Sequence, residues 1–297
     1  MKTRYIQTTE TIDEYSHLPL WKTCSKIDLI YIVYGLLVLA TVLVSYGLGA
    51  LNWLPSDPDS MDLENMMVAP LTSGYFLGTD YMGRDLLSRL IIGIQAYFVP
   101  GLLSIFISLS LGSIMGILSG YQGGRVESVV EYFSNLIDSF PRLVLILLFI
   151  AAFTPNIYII MIVVGLTTAP VVAGLVRGKI LFLKQRNFVE SAIAMGLPTY
   201  QIILKHILWY NCRSILLIQA TLGMAEAILI ETSLSYLGFG VQEPVPSWGN
   251  MVQSGSNYLM QGNFWPSTAP ALAILATVLG FHLLGDGLNN VLERKER

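Results

Sequence analysis

Ionisable side chains are sparse in the long apolar stretches of this sequence, and their spacing restricts the chemistry open to them. Glu226 and Glu231 share one such stretch. Five residues of α-helix turn about 500°, so the two carboxylates stand about 140° apart and do not converge on one ion. His282 and Asp286, four apart, fall on one helix face, a spacing that suits a local hydrogen-bonded pair or a proton relay. Asp80 and Asp85 in "GTDYMGRD" come nearest to a metal-ligand set, yet they fit no complete calcium loop. The same string offers Asp85 and Arg89 as an i, i+4 ion pair and Gly78 and Gly83 as turn residues, which reads as a structural elbow. No phosphate loop G-x-x-x-x-G-K-[ST] is present; the nearest string, "GLVRGKI", lacks the spacing and the final hydroxyl. HExxH, CxxC and GxSxG are absent too. The chain is therefore expected not to be an enzyme and to hold no metal or cofactor of its own, and any uphill work must be fuelled by a partner.

The elements that carry these residues follow from composition. Apolar residues make up 54% of the chain and charged ones 12%, and the mean hydropathy is +0.61, values that exclude an ordinary soluble domain. A span of the bilayer needs about 20 uncharged residues. Residues 30–51, 91–118 and 157–176 meet that outright, and about 129–152, 214–237 and 268–292 meet it with charges near one end or inside. The expectation is an all-α integral membrane protein with six transmembrane helices. Residues 1–28 are polar and lack the pattern of a cleaved leader, so they are expected to be a cytoplasmic segment ahead of a retained first span, with residues 29–297 as the membrane domain.

With the N-terminus inside, 15 of the 17 Lys and Arg fall on the cytoplasmic side, Arg142 among them at a loop edge; only Arg84 and Arg89 fall outside. Both termini are then cytoplasmic. The loops at about 52–90 and 238–267 are external, and that at about 177–213 is cytoplasmic. Cys24 and Cys212 land on the reducing side, where thiols are expected. The net charge of −3 comes with no basic stripe, so nucleic acid is not an expected partner. Ser104, Ser108, Gly112, Gly116 and Gly120 recur at every fourth position, a small-residue stripe suited to close helix packing in lipid. Glu127, Glu131 and Asp138 fall on a helix entering the membrane, with Glu127 read as facing solvent.

The cytoplasmic loop contains "NFVESAIAMGLPTYQIILKHILWYN", residues 187–211. Asn187 can cap a helix beginning at Phe188, with Glu190 reaching back as in a capping box. Gly196 suits a left-handed stop and Pro198 forbids continuation. Thr199 can start a second helix whose Ile202, Ile203 and Leu204 make apolar contacts while Lys205 and His206 face a wetter side. A helix, a bend and a helix result, either a docking element or an interfacial helix lying on lipid.

The string "ESAIAMGLPTYQIILKHIL", residues 190–208, resembles the EAA-x-x-x-G loop of ABC importer permeases, with Glu190, Ala192 and Gly196 on the family's positions and Ser191 replacing one Ala. Trp209 and Tyr210 stand where the family has Pro-Asn. "LGTDYMGRDLLSRLIIG" (77–93), "ETSLSYLGFGVQEPVPSWGNMV" (231–252) and "LLGDGLNNVLE" (283–293) resemble the dipeptide/oligopeptide and nickel branch, in particular its C-type subunit; Glu243 stands where an uncharged residue is commoner. The resemblance covers about residues 70–293. It implies the type I ABC importer permease fold in a prokaryotic cytoplasmic membrane. It also implies a sister permease forming the other half of the pathway, two ABC ATPases that bind ATP and Mg, and an extracellular or periplasmic substrate-binding protein. Glu190, Ser191, Ala192, Met195 and Gly196 would couple to the ATPase, with Glu190 ordering the loop, Ala192 permitting close approach and Gly196 setting the bend. Gly78, Thr79, Asp80, Gly83, Arg84 and Asp85 would form the external-loop motif, and Glu243 and Trp248 would meet the binding protein, Pro244 and Pro246 stiffening that loop. Peptides are the implied substrate; nickel or metal chelates, opines, or a stand-alone secondary transporter are the alternatives.

Overall fold

The computed structural model describes residues 25–153 and 156–296. Residues 1–24, with Lys2, Arg4, Lys22 and Cys24, lie outside the described residues, as does Arg297. Among the described residues the chain is helical, with only the isolated bridges Thr72–Tyr75 and Thr79–Asp85. The helices are α1 (Lys26–Ala50), α2 (Leu86–Gly93), α3 (Phe98–Gln122), α4 (Gly124–Asp138), α5 (Arg142–Ala152), α6 (Ile157–Leu183), α7 (Asn187–Ala194), α8 (Arg213–Tyr236), α9 (Trp248–Ser256) and α10 (Trp265–Glu296). Five segments among the described residues are long and apolar enough to cross a membrane: 26–50, 86–122, 157–183, 199–236 and 265–292.

The sixth expected span differs. Residues 124–152 form two helices bent by 84°, α4 and α5, and they make a crossing only as a pair. Pro141 explains the break: it has no N–H to donate, its ring disfavours a helical residue before it, and it instead stands as the N-cap of α5. Arg142, expected at a cytoplasmic loop edge, therefore sits at an internal break, where it pairs with Glu226 near the middle of α8.

The small-residue stripe is buried where α3 lies along α6. A Cβ on Gly112 would stand 2.5 Å from the Val172 Cβ, and one on Gly116 would stand 2.7 Å from the Ala173 carbonyl oxygen, so only glycine admits this approach. In lipid such backbone contact replaces the hydrophobic drive that water would supply. At the opposite side α1 packs on α10. There Ser25 and Asp28 form a capping box, and Asn290 donates to the Asp28 carboxylate (3.0 Å), so the "GDGLNN" tail is tied to the start of α1. His282 and Asp286 share a face of α10 as their spacing requires, but both are exposed and no hydrogen bond joins them. Among the described residues three apolar clusters hold the bundle: Tyr97, Ile228 and Trp248 under the loops that follow α1 and α8, Ile146, Met161 and Leu234 between α5, α6 and α8, and Val176, Ile180 and Ile207 behind the 187–212 loop.

Candidate coupling loop and external cap

The loop between α6 and α8 begins where α6 ends at Leu183. Arg186 N–H donates to the Leu183 carbonyl (3.0 Å) and Val189 N–H to the Arg186 carbonyl (2.9 Å), so α7 starts one residue earlier than its sequence pattern suggests. Arg186 is the N-cap, and no side chain caps the helix. The expected Asn187 cap and Glu190 capping box are therefore corrected: the tight turn already supplies the first acceptor, and it puts Asn187 inside the helix.

The far end of α7 matches expectation closely. Gly196 has φ +75°, Leu197 N–H donates to the Ala192 carbonyl (3.1 Å) and Gly196 N–H to the Ile193 carbonyl (2.9 Å), the bond pair of a Schellman stop. Pro198 then caps a single turn, Thr199–Gln201, which opens into a π-helical stretch, Ile202–Cys212, running without interruption into α8. Trp209 and Tyr210 leave that run unbroken, where a proline would have interrupted it. Loop and span thus form one continuous lever.

Which way each side chain faces decides what the loop can do. Val189, Ala192, Ile202 and Ile207 are buried against Val176, Ile180 and Leu183 of α6. Leu204 and Lys205 face outward; only part of the expected apolar set packs inward. Glu190, Ser191, Met195 and Gly196 are exposed, Met195 at 73%. Ala192, expected to allow a partner close, is turned inward; its small size lets α7 settle onto this chain's own helices. Charges brace α6 behind the loop. Arg177 of α6 pairs with Glu131 (2.8 Å) and with Glu127 of α4, and the Lys184 ammonium donates to the Tyr121 carbonyl (2.9 Å). Glu127 is thus an ion-pair partner and not a solvated charge.

The loops that follow α1 and α8 form a cap at the other end of the spans. Gly78 and Gly83 have φ +79° and +75°, the conformation that glycine adopts without steric cost. Thr79 is buried; its hydroxyl donates to the Asn65 carbonyl (2.6 Å) and accepts from Val68 N–H (2.9 Å). Asp80 accepts from the N–H groups of Met82 (2.8 Å) and Arg84 (2.9 Å) and from Arg84 Nε (2.7 Å). Arg84 and Arg89 are both fully buried and converge on Glu243, at 2.9 and 3.2 Å, and so staple the loop after α1 to the loop after α8. The guanidinium of Arg84 is held above its usual pKa: burial alone would lower it, but hydrogen bonds and charge from Glu243 and Asp80 outweigh that.

Two expectations for the cap are corrected. Asp85 does not pair with Arg89. It caps α2, accepting from Ser88 N–H (3.0 Å) and Oγ (2.6 Å), while Arg89 turns to Glu243, Asp59 and the Pro58 carbonyl. Trp248 is neither an interfacial anchor nor a surface for another protein. It is buried, its indole N–H donating to the Leu90 carbonyl (2.9 Å) and its ring lying edge-on to Tyr97. Glu231, which the sequence shows only to diverge from Glu226, is wholly buried and accepts from the Ser235 hydroxyl (2.6 Å) beneath the cap. No local pattern marks that role, because its surroundings come from distant segments. Among the described residues no group of three or more His, Cys, Asp or Glu could hold a metal ion.

Residues 112–297 match the family model described as "Binding-protein-dependent transport system inner membrane component". The chain belongs to this permease family. Among curated relatives it is 37% identical to the oligopeptide transport system permease protein OppC of Haemophilus influenzae over 266 residues, 89% of this chain and 85% of the relative. It is 36% identical to the probable D,D-dipeptide transport system permease protein DdpC of Escherichia coli K12 over 82% of this chain and 81% of that one. It is also 32% identical to the dipeptide transport system permease protein DppC of Bacillus subtilis over 77% and 71%. The permease is a multi-pass, non-enzymatic subunit of an ABC transport system, whose partners include an ATPase and a substrate-binding protein. An EAA loop carrying a coupling helix is typical of that family.

Proposed function

We propose that this permease forms half of the translocation pathway of an ATP-driven peptide importer. A sister permease supplies the other half, two cytoplasmic ATPases bind the ATP and Mg, and the termini lie in the cytoplasm of a prokaryotic cell bounded by this membrane. The observation that carries the reading is the construction of α7. Its inner face is fixed to α6 and the π-helical run, while Glu190, Ser191, Met195 and Gly196 stand exposed for an ATPase surface. Closure of the ATPases would push on this helix and tilt α6 and α8 together, a rigid-body switch between two discrete states. On the other side, residues 52–90 and 238–267 would be external, and Glu243, 37% exposed within the ion network, would meet a binding protein. The peptide assignment draws on the peptide transport systems to which OppC, DdpC and DppC belong.

The test is purification of the assembled complex into liposomes. Peptide-loaded binding protein should stimulate both ATP hydrolysis and peptide uptake, and mass spectrometry of the copurified binding protein should find peptides. Uptake that persists without nucleotide, or a binding protein loaded with metal chelates or opines, would contradict the proposal.

A further inference from the structure

A charge in the middle of a membrane span is costly, and it persists where it faces water or protein instead of lipid. Glu226 is such a charge: it lies about 20 Å from the Arg213 end of α8 and about 15 Å from the Tyr236 end, at ~1.5 Å per residue. Arg142, the first residue of α5, reaches it from just beyond the 84° break. The pair is not sealed: 29% of the arginine side chain and 36% of the glutamate remain exposed. It opens into a cavity of about 470 Å³ that Asp138, Thr167 and Ser233 also line. That is the size of a small-ligand site, ~300–1,000 Å³. No side chain caps α5, so its first amide N–H groups add partial positive charge beside Arg142. A helix broken within the membrane, with its N-terminus at a charged cavity, is an arrangement that holds anionic substrate groups elsewhere.

We infer that this cavity is a substrate site within the membrane for a zwitterionic peptide, whose terminal carboxylate pairs with Arg142 and whose terminal ammonium pairs with Glu226 and Asp138. The inference rests on the importer reading above and specifies what the pathway wall contributes to it. In the empty site Glu226 neutralises Arg142, which would be costly to leave unpaired away from bulk water. An arriving carboxylate exchanges with Glu226, and the released glutamate then meets the ammonium. No covalent bond changes, so the same exchange empties the site.

The test compares Arg142→Gln, Glu226→Gln and the double variant in the assembled complex, with copurification of the sister permease as the control for folding. Each single variant should lower peptide uptake about tenfold, the equivalent of roughly one charge-assisted contact, and the double variant should fall further. A purely structural ion pair behaves oppositely: Glu226→Gln would rescue Arg142→Gln, because no unpaired charge is left. Rescue, or unchanged uptake in the single variants, would overturn the inference while leaving the importer reading standing; wild-type vesicles that import no peptide would overturn both. Ser233→Cys, with Cys24 and Cys212 changed to Ala, probes the wall without touching the pair. Peptide-loaded binding protein plus ATP should slow its reaction with a water-soluble thiol reagent about fivefold, by occupancy of the cavity; equal rates with and without peptide would overturn the inference.

Discussion

Arg84→Met would test the cap built by the loops after α1 and α8 most sharply. Its side chain is 2% exposed, with Nε 2.7 Å from Asp80 and Nη1 2.9 Å from Glu243. Methionine fills much of the space but leaves Asp80, itself 8% exposed, without its ion partner. Breaking a buried pair from one side costs about 3–5 kcal/mol. The lower end applies, since Asp80 retains the Met82 and Arg84 backbone N–H groups and has Arg89 Nε at 3.9 Å. A loss of about 3 kcal/mol in the local opening free energy is about two orders of magnitude in amide hydrogen-exchange rate. That acceleration should appear together at residues 78–86 and 240–250, because the arginine ties both. Glu243→Gln keeps one acceptor oxygen, and Arg84 Nη1 and Arg89 Nη2 both approach the same oxygen, Oε2, of the carboxylate at a site 37% exposed; its smaller cost, about 1 kcal/mol, should give a rise of less than tenfold. Exchange in Arg84→Met within threefold of wild type, or faster exchange confined to one of the two segments, would refute the staple.

At the α7 stop, Gly196→Pro should abolish transport while insertion and assembly persist, because proline cannot adopt φ +75° or donate to the Ile193 carbonyl; uptake assays on complexes of equal yield check it. Gly116→Val should lower thermal stability by about 1–3 kcal/mol through overpacking against Ala173 and Val176, whereas Gly174→Ala, where a Cβ meets nothing within 4 Å, should be tolerated; parallel melting curves separate the two. Trp248→Phe keeps an aromatic ring but drops the bond to the Leu90 carbonyl, for a loss of about 1 kcal/mol and faster exchange in α2.

Features written in local pattern were legible from the sequence. The Gly196–Pro198 stop, the small-residue stripe and the uninterrupted apolar spans each depend on neighbours within one helix, and each appears where its residues indicate. Features built from distant segments were not. Asp85 and Arg89 have the spacing of an ion pair, but the Ser88 amide and hydroxyl claim Asp85, and Arg89 finds Glu243 more than 150 residues away. Trp248 looks like an interfacial anchor until α2 and Tyr97 are folded over it. Arg142 reads as a loop-edge cation by charge counting. Pro141, which breaks the helix and carries Arg142 inward, was visible, but the direction of the bend is set by packing of α5 on α6.

Site-specific cross-linking from α7 in intact cells tests the central claim most directly. A photoreactive residue in place of Met195, which is 73% exposed, should capture a nucleotide-binding ATPase subunit, and the yield should change when ATP hydrolysis is arrested. Capture of lipid alone, with transport intact and no ATPase adduct from position 190, 191 or 195, would contradict the account.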